Sequence, residues 1–354
     1  MSAPATDASP TAPGDLFPVG RVFVNAPFDY LVIGGGLSLL TFAALLGSGG
    51  LIQPSFATLS IPFLALALNS AHFAASTVRL YTKPGSFSDW PFLTMGLPLV
   101  TLAVLGVAIL WPEAIGTNLS ALYLTWSPFH YAAQAFGLAC MYHYRSGGTL
   151  SVTERQLLYA TCLLPFLYSF LFAQGAGLAW FLPDSWLAPA PSLAHAFPAL
   201  RLSFAALVFT APVALATLRV VKGEQGLPLI SWLVIVANGV WWVVFTYFEA
   251  FVWATIFHGL QYLAIVMIFH VRDHSAQANN HRAPRVLALR FYGASLVLGF
   301  LLFNIWPFAY LLAGFGLAES MLLCAAVINI HHFIVDRYIW RLRKDPNNQV
   351  AMRR

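Results

Sequence analysis

Read for its pattern of apolar and polar positions, the chain is a series of long apolar runs joined by short polar or Gly/Pro-rich connections. A helix needs about 20 apolar residues to cross a bilayer core. Runs of that kind cover residues 28–50, 57–80, 90–112, 117–144, 155–174, 196–221, 227–246, 250–271, 287–312 and 315–341. Turn-forming residues separate them: GSGG at 47–50, Pro84 with Gly85, Pro112, Gly147 with Gly148, and the Pro-rich stretch 183–198. The pattern predicts an all-α fold, a polytopic transmembrane helix bundle of about ten spans. One joint lacks punctuation. WWVVFTYFEAFVWAT, between the seventh and eighth runs, holds no Gly or Pro, so a bent or re-entrant arrangement is an alternative there.

Composition supports a membrane protein. Hydrophobic residues are 59% and charged residues 9% of the 354, with mean hydropathy +0.73; soluble chains carry about 25% charged residues. The expected organisation is a disordered N-terminal tail over residues 1–22, one transmembrane helical domain over 23–344 and a cytoplasmic tail over 345–354. Cys140, Cys162 and Cys324 lie in apolar runs and read as small core residues.

The net charge of +5 then reads as a topology signal, with no nucleic-acid partner implied. Arg79, Lys83, Arg145, Arg155, Arg219, Lys222, Arg272, Arg282, Arg285, Arg290, Arg337 and the C-terminal cluster fall on one side of a ten-span arrangement; Arg201 does not. The positive-inside rule predicts both termini in the cytoplasm and a multi-pass protein of the cell inner (plasma) membrane.

Ionisable residues inside spans are costly and usually functional. Four runs carry them: Asn69 and His72; His130, Gln134 and His143; His258, Gln261 and His270; and Asn329, His331, His332 and Asp336. QAFGLACMYHYR (134–145) and QYLAIVMIFHVR (261–272) share Gln, eight residues, His, one residue, Arg, and NSAHF (69–73) pairs with NIHHF (329–333). At about 100° per residue, positions three or four apart share a helix face. Asn69 then lies with His72 and Ser76, His130 with Gln134, His258 with Gln261, and Asn329 with His332 and Asp336. His331 points roughly 100° away from His332.

These residues predict a buried metal site, with His72, His130, His258, His331, His332, His143 and His270 as candidate ligands. Gln134 and Gln261 are candidate catalytic or ring-orienting groups, and Asp336 a ligand or orienting carboxylate. Imidazole suits Fe, Zn, Cu and Ni, and the absence of Cys from the set argues against structural zinc. The expected function is a non-haem iron oxidoreductase, oxygenase- or desaturase-like, acting on a lipophilic small molecule with an external electron donor. Zinc and haem b are the alternative cofactors. Haem b has its basis in the pairs His130/His143 and His258/His270, 13 and 12 residues apart on two runs. A proton- or metal-coupled transporter is the non-enzymatic alternative.

SAHFAAS (70–76) and FHGLQYLAI (257–265) resemble the histidine motifs of bacterial carotene-cleaving dioxygenases of the Brp/Blh type. The resemblance implies an iron held by four histidines from separate membrane helices. Where an HxxxH spacing from His258 would put a second histidine, this chain has Tyr262. HVRDH (270–274) and HH (331–332) are also partly similar to the boxes of membrane desaturases, hydroxylases and alkane monooxygenases.

Overall fold

A computed structural model of the chain describes residues 15–48, 63–111, 117–172, 191–277 and 280–339. Among them there is no strand. The principal helices are α1 (Gly36–Gly47), α2 (Ala71–Thr82), α3 (Leu97–Leu110), α4 (Thr117–Arg145), α5 (Val152–Phe172), α6 (Pro191–Val221), α7 (Leu229–Val244), α8 (Tyr247–Ser275), α9 (Pro284–Phe300) and α10 (Leu317–Ile339). Among the described residues, five helical segments are long and apolar enough to cross a membrane: Phe92–Leu110, Ala199–Val221, Tyr247–Ser275, Pro284–Leu312 and Leu317–Tyr338. A sixth is the pair Ala26–Ile33 and Gly36–Gly47, bent by 55°. Of the ten spans the sequence predicts, 57–80 lies partly outside the described residues. α4 is long enough, but Thr125, Ser127, His130, Gln134 and His143 dilute its apolar character, and α7 has only 16 residues.

The bundle is organised around α8. In its most apolar window 72% of residues are buried, against 17% for α6, which packs on α5 at the periphery. α8 touches both α2 and α4, and α10 touches the same two helices from the other side. α2, α8, α4 and α10 therefore close a ring, with α9, α7 and α3 packed outside it.

Two local devices shape the ring. The turn before α2 is widened: Ala65–Ser70 is a π-helical segment, a local rewinding often found beside functional sites. Glycines on two neighbouring helices admit its backbone. A Cβ on Gly259 of α8 would stand 3.0 Å from Leu68 O, and one on Gly299 of α9 would stand 2.5 Å from Ser70 O. In α4, Pro128 lacks an N–H and so cannot bond the carbonyl one turn earlier. That carbonyl, Leu124 O, instead accepts the Tyr247 hydroxyl at 2.5 Å.

The unpunctuated joint between α7 and α8 is a chain break made without Gly or Pro. Phe245 and Thr246 are extended, and Thr246 starts α8 with a capping box closed by Glu249.

The sequence assigns residues 15–22 to a tail. They instead pack on the bundle: Asp15 and Pro18 carbonyls accept from Gly226 and Leu229 N–H at 3.0 Å each, and Phe17 sits edge-on to Trp232. Residues 1–14 and 345–354 lie outside the described residues.

Candidate metal centre

Each helix of the ring contributes one inward histidine. His72 from α2, His130 from α4, His258 from α8 and His332 from α10 bring one ring nitrogen apiece to within 4.8 Å of one another. His72 Nε2 is 3.0 Å from His332 Nε2 and 3.2 Å from His258 Nε2. The His130 ring lies 5.1 Å from that of His258 and 5.2 Å from that of His332, centroid to centroid. Helix packing brings the four histidines onto one centre.

Hydrogen-bond accounting shows which nitrogens face inward with lone pairs. His72 Nδ1 contacts Asn69 O at 3.2 Å. A carbonyl only accepts, so Nδ1 carries the hydrogen and the neutral ring leaves Nε2 bare. Ser76 spends its hydroxyl hydrogen on Phe73 O at 3.0 Å. Its oxygen therefore accepts from His332 Nδ1, 2.9 Å away, and the neutral His332 ring leaves its Nε2 bare as well. Two bare nitrogens 3.0 Å apart in a dry interior repel unless a cation lies between them. Tetrahedral coordination at about 2.1 Å per bond separates ligand nitrogens by roughly 3.4 Å. The observed 3.0 and 3.2 Å fall close to that value, and the set's 4.8 Å upper bound needs only a small side-chain contraction.

Asp336 stands beside the four rings. Its Oδ2 is 3.3 Å from His332 Nε2 and 3.5 Å from His130 Nε2, while Oδ1 accepts from the Tyr262 hydroxyl at 2.5 Å. Tyr262 thus occupies the expected second-histidine position and serves the carboxylate. The sequence offered that signal only as a departure from a motif. Tyr131 is a further group not singled out in advance. Its ring lies 4.3 Å from that of His258, and its hydroxyl pairs with Thr255 Oγ1 at 2.7 Å.

The other predicted ligands lie elsewhere. His331 faces α3, 2.8 Å from Thr101 Oγ1, as its 100° offset from His332 requires. His143 Nε2 meets Thr149 O at 3.1 Å beyond the end of α4. The His270 ring lies 4.0 Å from that of His274 and 4.4 Å from that of Phe291. At about 1.5 Å per residue, His143 and His270 sit roughly 18–20 Å along their helices from His130 and His258. The repeated Gln…His–x–Arg pattern therefore does not supply its second histidine to the centre.

Neither glutamine amide nitrogen orients an imidazole. Gln134 Nε2 donates to His258 O at 3.2 Å, tying α4 to α8 at the site. Gln261 Nε2 donates to Ile33 O at 3.0 Å, a carbonyl released where the chain bends through Gly35 at φ +86°. Asn329 Nδ2 bonds back to Ala325 O at 2.6 Å.

One side of the centre opens. His72, His258 and His332 are at most 4% exposed, whereas the His130 side chain is 14% exposed and borders a cavity of about 350 Å³. Trp126, Phe129, Leu138, Met141, Ile265 and Phe333 form its apolar walls; Gln134, Asp336 and Arg337 supply polar groups.

Comparisons with protein-family models, with curated proteins and with solved structures find no match for this chain. The chemistry is therefore argued from the site.

Proposed function

We propose that this chain is a multi-pass inner-membrane protein with about ten spans and cytoplasmic termini. In this reading it holds one metal ion, iron in preference to zinc, through His72, His130, His258 and His332, and oxidises a lipophilic substrate. The observation that carries the proposal is the pair of bare nitrogens on His72 and His332, 3.0 Å apart with two more imidazoles beside them. Neutral imidazole is a good ligand for iron, and iron supplies one-electron and dioxygen chemistry. The chain's own contribution is to fix the ring tautomers through Asn69 O and Ser76, to keep water from three ligands, and to present His130 to an apolar chamber. An external electron donor belongs to the same proposal, as does the likeness to carotene-cleaving dioxygenases. Four nitrogens within 4.8 Å leave no slot for a porphyrin among them, which favours a bare ion over haem b.

The test is metal analysis of the full chain purified in detergent. About one ion per chain in the wild type, lost in His258→Ala, supports the centre; iron with substrate-dependent dioxygen uptake supports the reaction. A chain that binds no metal under any loading condition overturns both. A proton-coupled carrier is the second reading, favoured by the approach of Asp336 Oδ2 to His332 and His130. It predicts pH-driven flux in liposomes without metal.

A further inference from the structure

The cavity at His130 has one feature that a chamber for a purely hydrocarbon molecule does not need. Its walls are apolar over most of their extent, yet Arg337 lines it, and the Arg337 side chain makes no hydrogen bond or ion pair among the described residues. Asp336, its chain neighbour, is turned toward the metal side, where Tyr262, His332 and His130 surround its oxygens. Arg337 is five residues beyond His332 on α10, so it lies about 7.5 Å further along the helix axis. The chamber thus has a cation at one level and an open imidazole at another, with Leu138, Met141 and Ile265 among its walls. Its volume of about 350 Å³ lies in the range of small-molecule sites, about 300–1,000 Å³.

We propose that this cavity binds a single-chain amphiphile with an anionic head, a carboxylate or phosphate held by Arg337, and a hydrocarbon tail laid along α4 toward His130. The proposal rests on the metal-centre reading, since it names that centre's substrate class. Guanidinium presents paired N–H groups that match both oxyanions. Gln134 adds a second polar group: its Oε1 is buried without a hydrogen-bond partner and can receive a hydroxyl on the tail. The wall of α4 also leaves space for a tail. Gly137 lines the chamber, and a Cβ built there meets no atom within 4 Å.

The test uses the full chain, metal-loaded, in a neutral maltoside detergent, with radiolabelled palmitate, lysophosphatidate and hexadecanol as probes. The expected result is that palmitate or lysophosphatidate binds about 10-fold or more tightly than hexadecanol, a difference of about 1.4 kcal/mol. Which anion binds better separates a free acid from a phosphate headgroup as the source. Arg337→Gln, an exposed position, should erase the preference, and Gly137→Phe should weaken all three probes while metal content stays constant. Equal binding of hexadecanol, a preference that survives Arg337→Gln, or no binding of any probe overturns the proposal. Metal content separates the two readings. Head-selective binding by a chain that never holds metal sinks the centre and leaves the amphiphile site standing; a loaded chain without selectivity does the reverse.

Discussion

Tyr262, on α8, donates its hydroxyl to Asp336 Oδ1, on α10, at 2.5 Å, and Asp336 in turn faces two of the four clustered imidazoles. A phenol that restrains a carboxylate at the edge of the candidate centre would fix where negative charge sits relative to a bound ion. Tyr262→Phe removes that restraint while keeping the ring's packing. Metal affinity should fall by roughly 10-fold or more, the usual scale for losing an outer hydrogen bond. Competition with a chelator of known affinity measures it; an unchanged constant would separate Tyr262 from the centre.

The histidines should divide into two classes. Ala at His72, His258 or His332 should abolish stoichiometric metal. Ala at His143, His270 or His331 should leave it intact, because their partners are Thr149, His274 with Phe291, and Thr101. Elemental analysis of the six proteins, each checked for monodispersity, decides the matter.

Ser76→Ala tests the tautomer argument directly. Without Ser76 Oγ, His332 Nδ1 loses its acceptor and the ring is free to turn or to move its hydrogen to Nε2. Weaker metal binding, about 10–100-fold, should appear with little change in melting temperature. Equal losses in both would point to a packing role instead.

Gly299→Val should damage the centre from outside the ring. Even a Cβ there would come within 2.5 Å of Ser70 O, two residues before His72. The backbone must yield, at a cost of typically about 1–3 kcal/mol. A lower melting temperature together with reduced metal occupancy is expected; Gly293→Ala, where a Cβ meets nothing within 4 Å, serves as the control.

At the start of α5 a charged cluster gives a pH signature. Burial alone would raise the Glu154 carboxyl. The Ser151 N–H and hydroxyl, with Arg219 and Lys222, outweigh it and hold the group down to about 2. A carboxyl lowered on folding stabilises fully above its ordinary value, 4.5, and loses that contribution as pH falls toward about 2. Glu154→Gln should therefore melt below the wild type at pH 7, and the gap should close only between about pH 4.5 and 2. A constant gap across that interval would contradict the assignment.

The all-helical architecture was legible because apolar run length is a direct physical requirement. So were the four central histidines, because polar groups in apolar runs need a reason to be there. Helical phase separated His332 from His331 in advance. Phase and rise also set His143 and His270 apart, about 220° and 120° round and roughly 18–20 Å along their helices from His130 and His258. The glutamines misled: their stripe was right, but nearby carbonyls, His258 O and Ile33 O, took the amide hydrogens. The break between α7 and α8 did have a sequence signal, Thr246-x-x-Glu249, which a search for Gly and Pro passes over. Packing of residues 15–22 had none, because it depends on backbone carbonyls meeting the 226–229 segment.

The ring is closed by a contact between residues 260 positions apart, His72 and His332. At about 5–20 residues per second of synthesis, His72 waits roughly 13–50 s for its partner to be made. In the proposed reading the centre therefore cannot be loaded in its final form before α10 is made, and an ion would act as a late clasp on a bundle already in place. Cells starved of the metal should accumulate full-length chains that are inserted but unclasped, and these should be more open to proteolysis.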